Sequence, residues 1–336
     1  MRLAAYQWVT SNSVAMATYG NISYWDTSRV TNMTAVFGYY SPYAGQVGSY
    51  WATNFNADLS KWNTSGVTTM YDMFDGAKSF NGNLSQWDTS RVTSMNSMFW
   101  EAKAFKGNLS KWNTGRVMDM KQMFWEANAF NCDLSLWNTS QVFDMTGMFT
   151  RAYAFNGNVS TWNTNRVTSM YGMFLNANSF NVNISKWDTS NVTSLGNMFA
   201  YAISFNGDVS TWNTSRVAMM YGTFSASTSF NGDLSKWDTS TVTNMSWIFN
   251  DTTRLNGDVS RWNTSRVTYM IGTFRNALAF KQTLCWDTAK VTSNASVFNG
   301  SFGSFSTLPY PKCLPIKLTM KPSAKRTDKP NAAQST

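Results

Sequence analysis

Nine tryptophans at an unbroken interval of 25 residues constrain this chain more than any other feature: Trp62, Trp87, Trp112, Trp137, Trp162, Trp187, Trp212, Trp237 and Trp262. Trp25 precedes them after a 12-residue insertion, and Trp286 follows one residue short of register. Eleven copies therefore run over residues 22–298, each a variant of residues 80–104, FNGNLSQWDTSRVTSMNSMFWEAKA. A period of this size marks a solenoid, in which a unit buries its apolar face only against its neighbours.

Two periodicities meet inside one copy. Met95, Met98, Phe99 and Ala102 stand at i, i+3, i+4 and i+7, with Val92 three residues earlier, which predicts one stripe of a helix. Thr93 or Ser94 would cap it. Residues 84–89 suit a short strand, and Asn81-Gly82-Asn83 reads as a turn. Each copy is thus expected to be strand, turn, short helix and turn, the helix serving as the crossover that parallel strands require.

Stacking would line equivalent residues into columns. Methionine runs from Met70 to Met270 with Leu195 once, and phenylalanine from Phe74 to Phe274. A second phenylalanine column runs from Phe80 to Phe280 with Leu255 once, and an aliphatic one from Leu84 to Val259. These read as core, with flexible Met beside aromatic edges. If Trp87 and Thr89 point inward, Gln86 and Asp88 point outward by strand alternation.

The pattern F-N-G-[DN]-[LVI]-S-x-W-[DN]-T-S-x-V-T-x-M-x-x-M-F-x-x-A resembles the BspA-type leucine-rich repeat of bacterial and protist surface proteins. The resemblance implies an α/β fold, a leucine-rich-repeat-like solenoid of about eleven 25-residue strand–turn–helix units with a parallel sheet. It also implies an extracellular or cell-surface protein with a role in adhesion. Residues 1–20 hold one early Arg but no apolar run adequate for a signal peptide. That leaves either a cytosolic protein or a sequence that is a fragment or incomplete at its amino end; the resemblance, not these residues, implies the second. No stretch approaches the roughly 20 apolar residues of a membrane span.

The expected organisation is an N-terminal cap at 1–20 and a solenoid at 21–299 carrying an aromatic-rich insertion at 38–51. A C-terminal cap at 300–316 and a disordered basic tail at 317–336 follow. Of the three cysteines, Cys132 replaces a turn glycine, while Cys285 and Cys313 bracket the degenerate last copy and are expected to pair across the C-terminal cap.

The chain contains no histidine, which excludes histidine triads, histidine bases and histidine metal sites. Its two glutamates, Glu101 and Glu126, occupy one slot of adjacent copies near Lys103 and read as solvated ion pairs rather than an acid/base pair. Of two Asp/Asn columns, through Asn83 and through Asp88, the first invites a calcium reading. Four of the nine members of that column are neutral, so hydrogen-bonded turns are the better account. Neither an enzyme nor a cofactor or metal is expected.

Net charge is +9, and its arrangement points to a surface. The column before valine holds Arg91, Arg116, Arg166, Arg216 and Arg266, and the column before tryptophan holds Lys111, Lys186 and Lys236. On a sheet face, cations at every second copy would stand about 10 Å apart. This basic, hydroxyl-rich lattice is the candidate binding surface of a monomer, for an extracellular protein or an anionic glycan. Nucleic acid is disfavoured, because no recognised binding fold accompanies the charge. The competing readings are an ice- or mineral-surface binder built on threonine columns, a structural spacer, and cations that only keep a flat sheet soluble.

Overall fold

The fold is that of a computed structural model describing residues 1–38 and 51–313. The interior of the insertion expected at 38–51 and the tail expected at 317–336 lie outside these residues.

The copies stack as coils of one solenoid. Parallel one-residue bridges run through Asn32, Thr69, Ser94, Asp119, Asp144, Ser169, Ser194, Met219, Asn244, Tyr269 and Ser293, so coils pair in one register. This pairing lies at the Ser94 position, not along residues 84–89, where the sequence pattern predicts a strand. There the chain turns instead, with the Trp87 amide donating to the Leu84 carbonyl at 3.1 Å.

The helix predicted over 92–102 does not form either. Alternate amides leave their own coil: those of Met95, Ser97, Phe99 and Glu101 donate to the carbonyls of Asp119, Lys121, Met123 and Trp125 at 2.7–3.0 Å. The amides between them close tight turns, Met98 to Met95, Trp100 to Ser97 and Ala102 to Phe99, at 3.1–3.2 Å. Ser97 and Glu101 both sit at φ 52, and positive φ at the third residue of a turn is the type II signature. The same slots keep positive φ down the stack, for example at Gln122 and Glu126, Gly172 and Asn176, and Gly272 and Asn276. A helix cannot absorb two left-handed residues four apart. Each turn nevertheless returns the residue three places on to the same side, so the burial of Val92, Met95, Met98, Phe99 and Ala102 imitates a helical stripe.

The predicted columns are the core. Phe74, Phe80, Phe99, Phe105, Phe124 and Phe130 are fully buried, and the two phenylalanines of one coil stack closely, Phe99 on Phe105 at 4.2 Å. Trp87 and Thr89 point inward as expected, with Gln86 and Asp88 exposed. Their polar atoms are used between coils: Trp87 Nε1 donates to the Leu59 carbonyl of the coil before at 3.0 Å, and Thr89 Oγ1 to the Asn113 carbonyl of the coil after at 3.0 Å. The Leu84 carbonyl accepts both the Trp87 amide and Trp112 Nε1, which fills its two lone pairs. An asparagine ladder adds a third link, with Asn81 Oδ1 accepting from the Lys106 amide at 3.0 Å.

Equivalent rings keep nearly the same attitude, so their separation measures local coil spacing. It is 4.8 Å for Trp100–Trp125, beside the bridge ladder, and 5.5 Å for Phe99–Phe124. It grows to 5.9 Å for Phe105–Phe130 and 6.5 Å for Trp87–Trp112. The stack therefore fans open towards the tryptophan edge and curves with the ladder on its concave side.

Both ends break the ring stacking. At the N-terminus α1 (Arg2–Thr10) and α2 (Asn12–Tyr19) bring Trp8 and Tyr19 edge-on to Trp25, whose Nε1 donates to the Gly20 carbonyl at 3.2 Å. At the other end β1 (Thr283–Leu284) pairs in parallel with β2 (Ser304–Phe305), and Phe305 meets Phe298 edge-on.

Gly172 distinguishes turns from a helix by the sign of one substitution. It sits at φ 59, and a Cβ there would meet nothing closer than 3.7 Å. In a helix Gly172→Ala would stabilise by about 0.5–1 kcal/mol. In this coil it should destabilise by roughly 1–2 kcal/mol, read from urea unfolding.

Candidate functional site

The cationic columns stand on turns, not on a sheet face. Arg91, Arg116, Arg166, Arg216 and Arg266 each precede a buried valine, and Lys111, Lys186 and Lys236 each precede a buried tryptophan. All eight are exposed; the lysines adjoin the widely spaced tryptophans, and the arginines stand three residues before the bridge ladder. Two guanidiniums are aligned along the stack: Arg166 Nη1 donates to Gln141 Oε1 at 2.6 Å and Arg216 Nη1 to Asn191 Oδ1 at 2.8 Å. The neutral members of the arginine column thus orient the charged ones, engaging one of the five donors of each guanidinium.

The Asp/Asn columns serve the turns that carry these cations. Asn83 Oδ1 accepts from the Ser85 amide at 3.0 Å, and Asp88 Oδ1 from the Ser90 amide at 2.9 Å, an Asx-turn that recurs in both columns. The hydroxyl and amide of Ser90 hold the Asp88 carboxyl below the ordinary carboxylate range. Among the described residues, no group of three or more Cys, Asp or Glu is placed to hold a metal ion.

The two glutamates occupy positive-φ turn positions rather than helix faces. Glu101 pairs with Lys78 at 3.2 Å, Lys103 reaches Glu126 at 3.3 Å, and Arg151 Nη1 donates to Glu126 Oε1 at 2.6 Å. Their side chains are only 16% and 17% exposed, so the run is a half-buried ladder of alternating charge rather than a solvated pair. Beside it Trp100 and Trp125 lie face to face.

Sequence reasoning missed Asp72 and Asp75. Asp72 takes the positive-φ slot, and Asp75 takes the slot that Trp100 fills one coil later. Burial raises the Asp75 carboxyl to about 8, helped by Asp72 and Glu101, and burial raises Asp72 to about 6. The available signal was the pair of carboxylates in YDMFDGA, where other copies hold neutral residues at one or both positions.

Cys285 is joined to Cys313, with Cα atoms 5.5 Å apart, and Cys132 is a half-buried free thiol whose pKa burial raises. No helix among the described residues is long and apolar enough to cross a membrane.

The family model described as "Mycoplasma protein of unknown function, DUF285" matches residues 9–137, 49–160, 129–231 and 204–307, which is most of the chain and all of its regular coils. The chain belongs to the DUF285 family. Its overlapping matches follow the coil stack without favouring any segment of it. No curated protein matches this DUF285 chain. A solved structure similar to part of it is the crystal structure of a TLR13–ssRNA13 complex, at 10% identity and a TM-score of 0.25, over 72% of this chain and 42% of that one. The DUF285 chain therefore spans less than half the length of that structure.

Two measurements follow from the titrating and thiol groups. Unfolded Asp75 ionises near pH 4, whereas folded Asp75 keeps its proton to about 8, so the folded state binds more protons between those values. Stability should accordingly decline as pH rises through that window. Asp75→Asn should flatten the decline, seen as a smaller drop in melting temperature between about pH 5 and about pH 9. With Cys285 and Cys313 joined, thiol titration of the denatured, non-reduced protein should find Cys132 alone; reactive Cys285 and Cys313 would exclude the bond.

Proposed function

We propose that this chain is a non-catalytic cell-surface or secreted repeat protein that binds an extracellular protein or an anionic glycan through its basic lattice. The observation that carries the reading is the fixed spacing of exposed cations on a frame that cannot easily change it. Along the tryptophan edge coils stand 6.2–6.4 Å apart, so Lys186 and Lys236, two coils apart beside it, are separated by roughly 12–13 Å, wider than a flat sheet would give. At that distance mutual repulsion is largely screened at physiological salt, while each cation remains open to an extended anion. The likeness of the repeat to BspA-type repeats supports adhesion and a surface location. Catalysis has no place in this reading, and neither does a cofactor. The Thr93 column on which an ice-binding reading would rest is interrupted by Ala218 and by exposed Met118 and Phe143.

Heparin, as an anionic glycan probe, tests the lattice with the full chain. Binding should weaken steeply as salt rises, and Arg166→Ala with Arg216→Ala should weaken it by about tenfold at low salt. Salt-insensitive binding, or a double variant equal to the parent, would remove the lattice from the account. Thermal hysteresis without heparin binding would favour the ice-surface reading instead.

A further inference from the structure

The concave side of the stack holds a second surface of different chemistry. Through three consecutive coils, residues 168–179, 193–204 and 218–229, there is no charged side chain. This stretch contrasts with the charged ladder of Glu101, Lys103, Glu126 and Arg151 in the three coils immediately before it. In its place stand Tyr171, Tyr201, Ile203, Met219 and Tyr221, each 38–50% exposed. The same coils carry the hydroxyls of Ser169 and Thr193 and the amide of Asn197.

The arrangement is preorganised. Gly196 leaves room for the Tyr171 ring, since a Cβ at that position would lie 2.9 Å from Tyr171 Cδ2. Asn197 Nδ2 donates to Tyr171 Oη at 3.0 Å and pins the ring flat along the coils. Asn197 in turn lies over Gly222, which has no Cβ to displace it. Gly196 thus lies against the Tyr171 ring, and the tyrosine keeps 38% of its surface exposed. Tyr221 occupies the Tyr171 slot two coils on, about 10 Å away on this closely spaced side. The hydroxyl of Ser194, between them, is buried and lacks a hydrogen-bond partner among the described residues.

We propose that this face binds a neutral, extended glycan, with Tyr171 and Tyr221 stacking on two sugar rings and Asn197 and the neighbouring hydroxyls meeting the sugar hydroxyls between them. A sugar ring offers an apolar C–H face to an aromatic ring and a polar rim to amides and hydroxyls, which matches an aromatic surface without charge. An anionic ligand would find no counter-charge here, and an extended chain suits a flat track along the coil axis. This surface is independent of the basic lattice, and the two separate by salt dependence.

Titration calorimetry of the full chain with chitohexaose and cellohexaose tests the assignment. At least one neutral hexasaccharide should bind with an affinity indifferent to salt. Tyr171→Ala and Tyr221→Ala should each weaken it by about tenfold or more, and Tyr171→Phe should largely retain it. Arg166→Ala with Arg216→Ala, which lowers heparin binding, should leave it unchanged. Circular dichroism and heparin affinity equal to the parent's show that the tyrosine variants remain folded. Absence of binding to either hexasaccharide, or binding unaffected by both tyrosine variants, overturns the proposal. Self-association lost in Tyr221→Ala without glycan binding assigns the face to a second copy of the chain and overturns it as well.

Discussion

Between residues 93 and 101 of a coil, every second amide donates to a neighbouring coil, and those of Met98 and Trp100 close turns. This division governs the rest of the architecture. A helix would keep every amide bond inside its own segment, and a long strand would send none inside. By mixing the two, the chain obtains tight turns that bury a methionine–phenylalanine face and a ladder that binds coil to coil. The remaining backbone groups are met by side chains, with Trp indoles and Thr hydroxyls serving carbonyls and Asx oxygens serving amides. Repetition of Trp, Thr and Asn is thus as much a hydrogen-bonding requirement as a packing one.

The period, the columns and the inward direction of Trp87 and Thr89 were legible in the sequence, because all depend on spacing alone. The internal shape of a coil was not. Residues 92–102 satisfy a helical template because turns of three and a helix of 3.6 residues place Met95, Met98, Phe99 and Ala102 alike on one side. The contrary signal was glycine at a fixed slot inside the presumed helix, at Gly147, Gly172, Gly222 and Gly272, all at positive φ. Aromatic and β-branched residues at 84–89 suggested a strand, but Trp87 and Thr89 are there for their polar atoms, which reach the adjoining coils. Of the candidate site, the exposure of the three lysines followed from the alternation that turns Gln86 outward beside inward Trp87. The same alternation would bury the arginine column, which is exposed because the chain turns at residues 90–91. The orienting of Arg166 by Gln141 depends on a neighbour 25 residues away and is visible only in three dimensions.

The molecule thereby separates invariant from variable chemistry. Positions that hold the coil together, such as Trp87, Thr89 and Val92, scarcely vary from copy to copy, while those beside the bridge ladder pass from charged to aromatic along the stack. A partner laid along the concave side would meet first a charged stretch and then a neutral one. Along the tryptophan edge it would meet cations mostly at every second coil. Fanning of the coils gives the two sides different pitches, so one extended ligand could not match both.

Because each junction between coils is built from the same few contacts, no coil in the regular run is structurally indispensable to those beyond its immediate neighbours. Excising or duplicating one whole unit would recreate a junction of the kind already present and leave the two termini chemically unchanged. Length is therefore an adjustable property of such a protein: the reach of the molecule can drift in whole-coil steps between generations while its cross-section stays fixed.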